Sequence, residues 1–373
     1  MKVTLVGHYP PPFGGVAALM RQIEAALRER GCEVSIFNLG PGRPEGEEVV
    51  NFNTSNRALE FLQLARAFVS HDSDVFHYLS ASYRSFWLGT VCVALARMAG
   101  RRIVVSFVGG AFREFTAELG HLKSALAAFL LRRANALISC NSEIEEVLRS
   151  LVPGRTVHRM SNCFPPCGRE KSGLTRDVEE FVARHSPLVC STGAASPEYG
   201  LLSAVAALGK LRERFANVGM VLVLTRYGDA SHEEALHRAI ASEGLEGHVL
   251  VVRDLPDFIS LLERSDVLLR STLADGDSVS VREALFLGVP AVASDTPFRP
   301  EGVILFRRGD PGDMAEKLTQ ALTHETHRPV PRFQEEAVGN LDALLQIYRH
   351  ALRGKGAPGC QRRFCDRGGR VGP

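Results

Sequence analysis

The sequence lacks any long apolar run. Its longest mainly apolar stretch, Phe86 to Ala96, ends at Arg97, whereas a helix that crosses a bilayer needs about 20 apolar residues. The opening segment, Met1 to Gly7, is too short for the apolar part of a secretory signal peptide and meets prolines at once. We therefore expect a cytoplasmic protein, whose only membrane association would be a peripheral one at the inner face.

An excess of charge of one sign is also absent. The 44 lysine and arginine residues nearly balance the 42 aspartate and glutamate residues, so we expect no nucleic-acid partner. The eight cysteines are scattered, as at Cys92, Cys140 and Cys190, which is typical of small buried side chains rather than of a disulfide framework. Cys360 and Cys365 have no further cysteine or histidine beside them, so we predict no metal site there.

The sequence contains no dinucleotide-binding fingerprint. No Gly-x-Gly-x-x-Gly motif follows the first predicted strand, which argues against a nicotinamide cofactor. We also find no lysine placed for a Schiff base with pyridoxal phosphate, and no further cluster of acid and base residues. The sequence therefore predicts a protein without a bound cofactor.

Short apolar strands alternate with helical patterns along the chain. The strands are continuously apolar, which predicts parallel sheets covered on both faces. This alternation pauses at residues 162–168, NCFPPCG, and then starts again. We predict two doubly wound domains of α/β class, 1–165 and 166–332, that face a cleft at the carboxyl ends of their strands. A helix at about 333–352 would cross back onto the first domain, and the Gly/Arg-rich stretch 354–373 should be disordered.

A glycine pair separates the first predicted strand from the first predicted helix. Gly14 and Gly15 lie in the loop PPPFGGV, and a glycine turn at a helix N-terminus exposes backbone N–H groups that favour an anion. The alternative interpretation is a tight turn without a ligand.

A polar loop follows the predicted strand Val267–Leu269 and leads into a helix. Its carboxylates suit sugar hydroxyls, and its arginines and N–H groups suit phosphate; the alternative is a capped helix start. Asp275 and Asp277 form an Asp-x-Asp pair, but such pairs often occur in loops by chance. Binding of a divalent metal is therefore the less favoured interpretation of this pair. The candidate donor-binding residues of this loop are Arg270, Asp275, Gly276, Asp277, Ser278, Val279, Arg282 and Glu283.

These segments together resemble glycosyltransferase family 4, whose members are retaining, nucleotide-sugar-dependent enzymes of GT-B fold, with two Rossmann-like domains. The resemblance covers roughly residues 1–350 and is specific because several weak motifs occur in the family's order. The motifs are PPFGGV at 11–16, DVFHYLS at 74–80, EALFLGVPAVAS at 283–294, PEG at 300–302 and GDP at 309–311.

The resemblance implies roles for individual residues. The amides of Gly14 and Gly15 would approach the donor phosphates, and Glu283 would bind the donor ribose. Asp275, one methylene shorter than the family's glutamate, would contact the sugar ring. His77 ends a strand that carries a histidine near the acceptor in the family, and it is either a catalytic substitute or a packing residue. The donor would be a nucleoside diphosphate sugar.

Three positions depart from the family's pattern. Its two cations for the donor diphosphate align with Ala194 and Tyr199, and a histidine before a Gly-Gly pair aligns with Val108. A charge-assisted hydrogen bond contributes about 1.5–3 kcal/mol. We therefore hypothesise that Arg270 and Arg282 replace the missing cations; a solvated surface role for both is the alternative.

The segment His121–Asn135 is predicted to form an amphipathic helix with basic residues along one side. In related enzymes such a helix touches the membrane that carries a lipid-linked acceptor. The alternative is a core helix with a solvated basic end.

Two functions remain open on these grounds. The first is a retaining glycosyltransferase that moves a sugar from a nucleoside diphosphate sugar to a polysaccharide or a glycolipid. The second, favoured by the departures at Ala194, Tyr199 and Val108, is a catalytically silent GT-B protein that senses sugar nucleotides or accompanies an active enzyme. An epimerase or phosphorylase of this fold is disfavoured because no lysine is placed for pyridoxal phosphate.

Overall fold

A computed structural model describes most of the chain. The described residues are 1–46, 48–52, 56–167, 173–225, 228–323 and 331–353. Within them the chain forms two parallel β-sheets with flanking helices, which confirms the predicted α/β class. The stretch 354–373, predicted to be disordered, lies outside the described residues.

Among the described residues, the first sheet has seven strands, all parallel. Its strands are β1 (Lys2–Gly7), β2 (Glu33–Asn38), β3 (Val49–Asn51), β4 (Val75–Ser80), β5 (Ile103–Phe107), β6 (Ala136–Ser139) and β7 (Val157–Arg159). Their order is β3-β2-β1-β4-β5-β6-β7. The chain therefore reverses its direction of winding between β1 and β4, where a crevice opens at the carboxyl ends of the strands.

Among the described residues, six helices lie along the chain between the strands of this sheet and flank it. They are α1 (Gly15–Glu29), α2 (Arg57–Ser70), α3 (Arg84–Met98), α4 (Phe112–Ala117), α5 (His121–Leu131) and α6 (Ser142–Leu151). The longest apolar stretch of the sequence folds as α3, and Phe86, Cys92 and Val93 pack into the core. No helix among the described residues has the length and apolarity that a membrane crossing requires.

In the part of the chain that the structure describes, the second sheet has six parallel strands and repeats the same plan. Its strands are β8 (Leu188–Gly193), β9 (Gly219–Leu224), β10 (Val249–Arg253), β11 (Val267–Arg270), β12 (Ala291–Ser294) and β13 (Ile304–Phe306). Their order is β10-β9-β8-β11-β12-β13, with the reversal between β8 and β11. The accompanying helices are α7 (Arg176–Arg184), α8 (Leu201–Arg212), α9 (Ala230–Ser242), α10 (Phe258–Glu263), α11 (Val279–Leu287) and α12 (Pro311–Thr323).

The last helix, α13 (Pro331–Arg353), contributes to the cores of both sheets. Phe333 and Ala337 pack with the strands of the second sheet. Leu344 and Tyr348, further along the helix, belong to an apolar core of the first sheet, where the helix contacts β4 and β5. A single helix therefore joins the two halves, and the domain boundaries 165/166 and 332/333 stay a prediction.

Candidate functional site

A cleft of about 640 Å³ lies where the carboxyl ends of both sheets face each other. The first sheet contributes the start of α1, and the second contributes the ends of β8, β9 and β11 and the start of α11. Six of the predicted site residues line the cleft: Gly14, Gly15, Arg270, Ser278, Val279 and Glu283. Five others, Asp275, Gly276, Asp277, Arg282 and His77, are not in its lining.

The N-terminus of α1 forms one wall of the cleft. Gly14 precedes the helix in an extended conformation, and no side chain caps the first turn. A Cβ atom added at Gly15 would have no atom within 4 Å, so open space lies in front of this turn. The uncapped N–H groups of a helix start carry a partial positive charge and favour an anion.

Further along α1, Arg21 and Gln22 also line the cleft, although sequence reasoning did not single them out. They follow Gly14 and Ala18 at helical spacing, so one face of α1 runs along the cleft. Gln22 is buried, and its Nε2 donates a hydrogen bond of 2.5 Å to Oε1 of Glu283. The two halves of the protein therefore meet directly at a predicted site residue.

Glu283 on α11 is a buried carboxyl group in the cleft wall. Burial raises its pKa to about 8 because the charged form loses its hydration, and the hydrogen bond from Gln22 offsets only part of this effect. A carboxyl group at this position accepts hydrogen bonds from hydroxyl groups. A perturbed pKa in a cleft is characteristic of functional sites.

Asp275 makes three hydrogen bonds through its Oδ2 atom. The donors are Arg270 Nε at 2.9 Å, Arg299 Nη1 at 2.9 Å and Thr272 Oγ1 at 3.2 Å. Burial raises the pKa of Asp275, but the charges and hydrogen bonds of Arg270 and Arg299 outweigh it and bring the pKa to about 2. The resemblance placed Asp275 against the sugar ring, whereas the structure places it between two arginines, one of which sequence reasoning missed.

Asp277 and Arg282 form a separate network outside the cleft lining. Arg282 Nε donates to Asp277 at 2.8 Å, and Arg282 Nη1 donates to both carboxylate oxygens of Glu336 at 3.0 and 3.1 Å. Asp277 also accepts a hydrogen bond from the backbone N–H of Asn162. The hypothesis that Arg282 replaces a missing cation is therefore corrected, because its guanidinium is held by two carboxylates away from the cleft.

Gly276 lies in the contact between the two halves. A Cβ atom added at Gly110, which follows β5, would lie 2.8 Å from the backbone nitrogen of Gly276. Glycine is therefore required at position 110 if the loops are to approach this closely.

His77 is part of the interior of the first sheet. Its Nδ1 and Nε2 atoms form hydrogen bonds with the hydroxyl groups of Tyr348, at 2.6 Å, and Ser106, at 2.7 Å. It is 1% exposed, and burial lowers its pKa to about 3. Of the two interpretations left open for His77, the geometry corresponds to the packing residue, because both ring nitrogens are engaged away from the cleft.

The two positions without the family's cations do line the cleft. Ala194 and Tyr199 lie beside the end of β8. The Tyr199 ring centroid is 5.4 Å from the guanidinium carbon of Arg270. The cation of Arg270, on a neighbouring strand, therefore lies next to position 199, where the family has a cation and this chain has a tyrosine. Val108, the third departure, lines a small interior cavity instead.

The other end of the cleft is mainly apolar. Its lining there comes from the ends of β9 and β10 and from α10, namely Val223, Leu224, Leu255, Pro256, Phe258 and Ile259. Such a wall suits a planar aromatic ring. No group of three or more histidine, cysteine, aspartate or glutamate side chains in the described ranges is arranged to hold a metal ion.

Comparison with known proteins relates both halves to one class. Residues 14–163 match the model of the glycosyl transferase 4-like domain, and residues 186–324 match the model of the glycosyl transferases group 1. No curated protein matches the chain.

Solved structures share the fold along nearly the whole chain. Anabaena HepE in complex with UDP and glucose has a TM-score of 0.66 at 17% identity, with 93% of this chain and 98% of that chain covered. A glycosyltransferase from Rickettsia africae gives 0.66 at 14% identity, with 95% and 100% covered. Sucrose-phosphate synthase from Thermosynechococcus elongatus gives 0.62 at 15% identity, with 94% and 96% covered.

Proposed function

The chain belongs to the family 4-like glycosyltransferases of GT-B fold, and on this basis we propose that it transfers a sugar, with retention of configuration, to a polysaccharide or glycolipid. The donor is a nucleoside diphosphate sugar bound in the cleft. The observation that carries the proposal is the convergence of an uncapped helix start, Arg270 and Glu283 on one cleft.

Each part of the donor has a matching surface in this proposal. The diphosphate lies between Gly14, Gly15 and the Arg270 guanidinium, where N–H donors and a cation meet. The ribose hydroxyls bind Glu283, and the base packs on the apolar wall at Leu255 and Phe258. HepE, which has a similar fold, was solved with UDP and with UDP and glucose, and this supports a nucleoside diphosphate sugar as the ligand.

The proposed chemistry relies on positioning and on stabilisation of the leaving group. The bond between the anomeric carbon and the diphosphate oxygen breaks, and the acceptor hydroxyl oxygen forms the new bond on the same face of the sugar. The acceptor proton passes to the leaving diphosphate. This route suits the chain because Val108 offers no proton acceptor and His77 is engaged in the interior.

Ligand-induced thermal stabilisation tests the donor site. A ligand that binds only the folded state raises the melting temperature by mass action, so we expect one nucleoside diphosphate sugar of a uridine and guanosine panel to do so. The shift should be unaffected by EDTA and lost in Glu283→Ala. Release of the nucleoside diphosphate with an acceptor present then separates an active transferase from the catalytically silent alternative. A panel without any shift would contradict the proposal.

We also propose that the acceptor is met at an anionic membrane surface, through α5. Three of its large apolar side chains point outward, since Leu122, Leu126 and Phe129 are 88%, 51% and 55% exposed. The exposed basic side chains near them are those of Lys123, Arg132 and Arg133. Apolar anchors beside cations are the composition of a helix that lies in a lipid interface.

Vesicle co-sedimentation tests this contact. We expect binding to vesicles that contain phosphatidylglycerol and little binding to vesicles of phosphatidylcholine alone. Leu126→Ser combined with Phe129→Ser should abolish it. The matched control is Leu202→Ser, which changes an exposed leucine in the other half of the chain. Equal loss in the control, or no loss in the double variant, would refute the contact.

A further inference from the structure

Three buried charges form a closed cluster beside the cleft. The side chains of Arg270, Asp275 and Arg299 are 13%, 12% and 3% exposed. Asp275 Oδ2 accepts hydrogen bonds of 2.9 Å from Arg270 Nε and from Arg299 Nη1. Arg299 is itself fixed, because it also donates to Thr272 Oγ1 and to the hydroxyl and carbonyl oxygens of Ser294. Arg299 therefore holds the carboxylate of Asp275 from the side that does not line the cleft.

Of the three, Arg270 alone lines the cleft. A guanidinium has five N–H donors, and in Arg270 three of them are used, one by the Thr192 carbonyl oxygen and two by Asp275. Within the described part of the chain, the remaining two donors have no hydrogen-bond partner. Two N–H groups on one planar guanidinium match two oxygens of a phosphate.

The charge of the cluster also fits an anion. Two guanidiniums and one carboxylate leave a net charge of +1 in a poorly hydrated place, where an unbalanced charge is costly without a counter-ion. The end of β8, where Ala194 and Tyr199 replace the family's cations, lies against Arg270 through Thr192 and the Tyr199 ring. A bound diphosphate at this point would balance the cluster.

We infer that Asp275 and Arg299 are positioning residues that hold the Arg270 guanidinium toward the donor diphosphate, and that Asp275 does not bind the sugar ring. Arg270 then supplies, from β11, the contacts that the residues at 194 and 199 do not provide. The inference rests on the proposed function, since it assigns residues within the donor site.

Binding of UDP distinguishes this role from the one that the resemblance implies, because UDP carries no sugar. We expect Asp275→Asn and Arg270→Gln each to weaken UDP binding about 10- to 150-fold, the loss of a charge-assisted contact. The double variant should bind no more weakly than Arg270→Gln alone, since both changes remove one interaction. If Asp275 met only the sugar, removing its negative charge would leave UDP affinity unchanged or raise it, and this result would overturn the inference.

Titration calorimetry of UDP and uridine on the full chain provides the measurement, with GDP and guanosine in parallel. A merely structural defect lowers the affinity for the nucleoside and for the nucleoside diphosphate alike. Loss of the Arg270 contact instead lowers the ratio of the diphosphate affinity to the nucleoside affinity. Arg299→Gln should lower this ratio although Arg299 does not line the cleft, and an unchanged ratio would contradict its role. Arg282→Gln is the matched control, because the Arg282 side chain is 12% exposed and ion-paired with an aspartate, but it does not line the cleft. Wild-type protein that binds neither diphosphate would instead overturn the proposed function itself.

Discussion

The buried carboxyl group of Glu283 should make the stability of the protein depend on pH. Its pKa rises from 4.5 in the unfolded chain to about 8 in the folded protein, so the folded state favours the protonated form. The contribution of Glu283 to the free energy of unfolding is therefore fully present below about pH 4.5. It falls as the pH rises above that value and stops falling above about pH 8. Integrating the difference in bound protons between pH 5 and pH 8 gives a loss of about 3.5 kcal/mol.

The variant Glu283→Gln isolates this loss. Glutamine keeps the shape of the side chain and the hydrogen bond from Gln22, but it has no proton to lose. All other titrating groups are shared, so their effects cancel in the difference between the two melting temperatures. A change of 1 kcal/mol shifts the melting temperature of a domain of roughly 150–250 residues by about 2–4 °C. The melting temperature of the variant should therefore rise by roughly 7–14 °C relative to that of the wild type between pH 5 and pH 8.

Differential scanning fluorimetry at half-unit pH steps, without nucleotide, measures this difference. Nucleotide should also stabilise the variant less than the wild type, because the ribose contact assigned to Glu283 is weakened. A gain in stability together with a loss of binding is the behaviour of a functional residue held in an unfavourable environment. A melting-temperature difference that stays constant from pH 5 to pH 8, or changes in the opposite direction, would refute the buried, protonated state of Glu283.

Three further variants test the contacts around the cleft. Gln22→Leu removes the hydrogen bond that lowers the pKa of Glu283, so the pH profile of melting should move to higher pH; a profile moved to lower pH would contradict the assigned contact. His77→Phe leaves the hydroxyl groups of Tyr348 and Ser106 without a partner and should cost about 2–4 kcal/mol of stability, with turnover per folded molecule unchanged; a selective fall in kcat would restore a catalytic role. Gly110→Ala forces a backbone contact of 2.8 Å and should lower both melting temperature and turnover; wild-type values would show that the loops do not meet.

The parts of the fold that depend on local patterns were predictable from the sequence. Continuous apolar strands and helical spacing predict the longer strands of both sheets, because a parallel strand buried on both faces must be apolar throughout. The strands β3, β7 and β13 have only three residues each, which is too few for an apolar pattern to predict them. A strand this short carries no period, and its identity depends on pairing with a neighbouring strand.

The candidate site was predictable only where a motif faces the cleft. Successive helical residues point about 100° apart, so Glu283 can line the cleft while Arg282 turns toward Asp277 and Glu336. A motif names both residues, and only the tertiary structure separates them. The contact of Gln22 with Glu283 joins residues 261 positions apart, a separation over which sequence spacing carries no information.

The joining helix α13 has a consequence for the order in which the protein matures on the ribosome. Leu344 and Tyr348 complete the apolar core where α13 contacts β4 and β5, but they are synthesised about 190 residues after the last strand of that sheet. At 5–20 residues per second the first sheet waits roughly 10–40 s with an apolar face uncovered. The packing of α13 against both halves is therefore a late step of folding. A nascent chain that stops before residue 331 exposes that apolar face to chaperones.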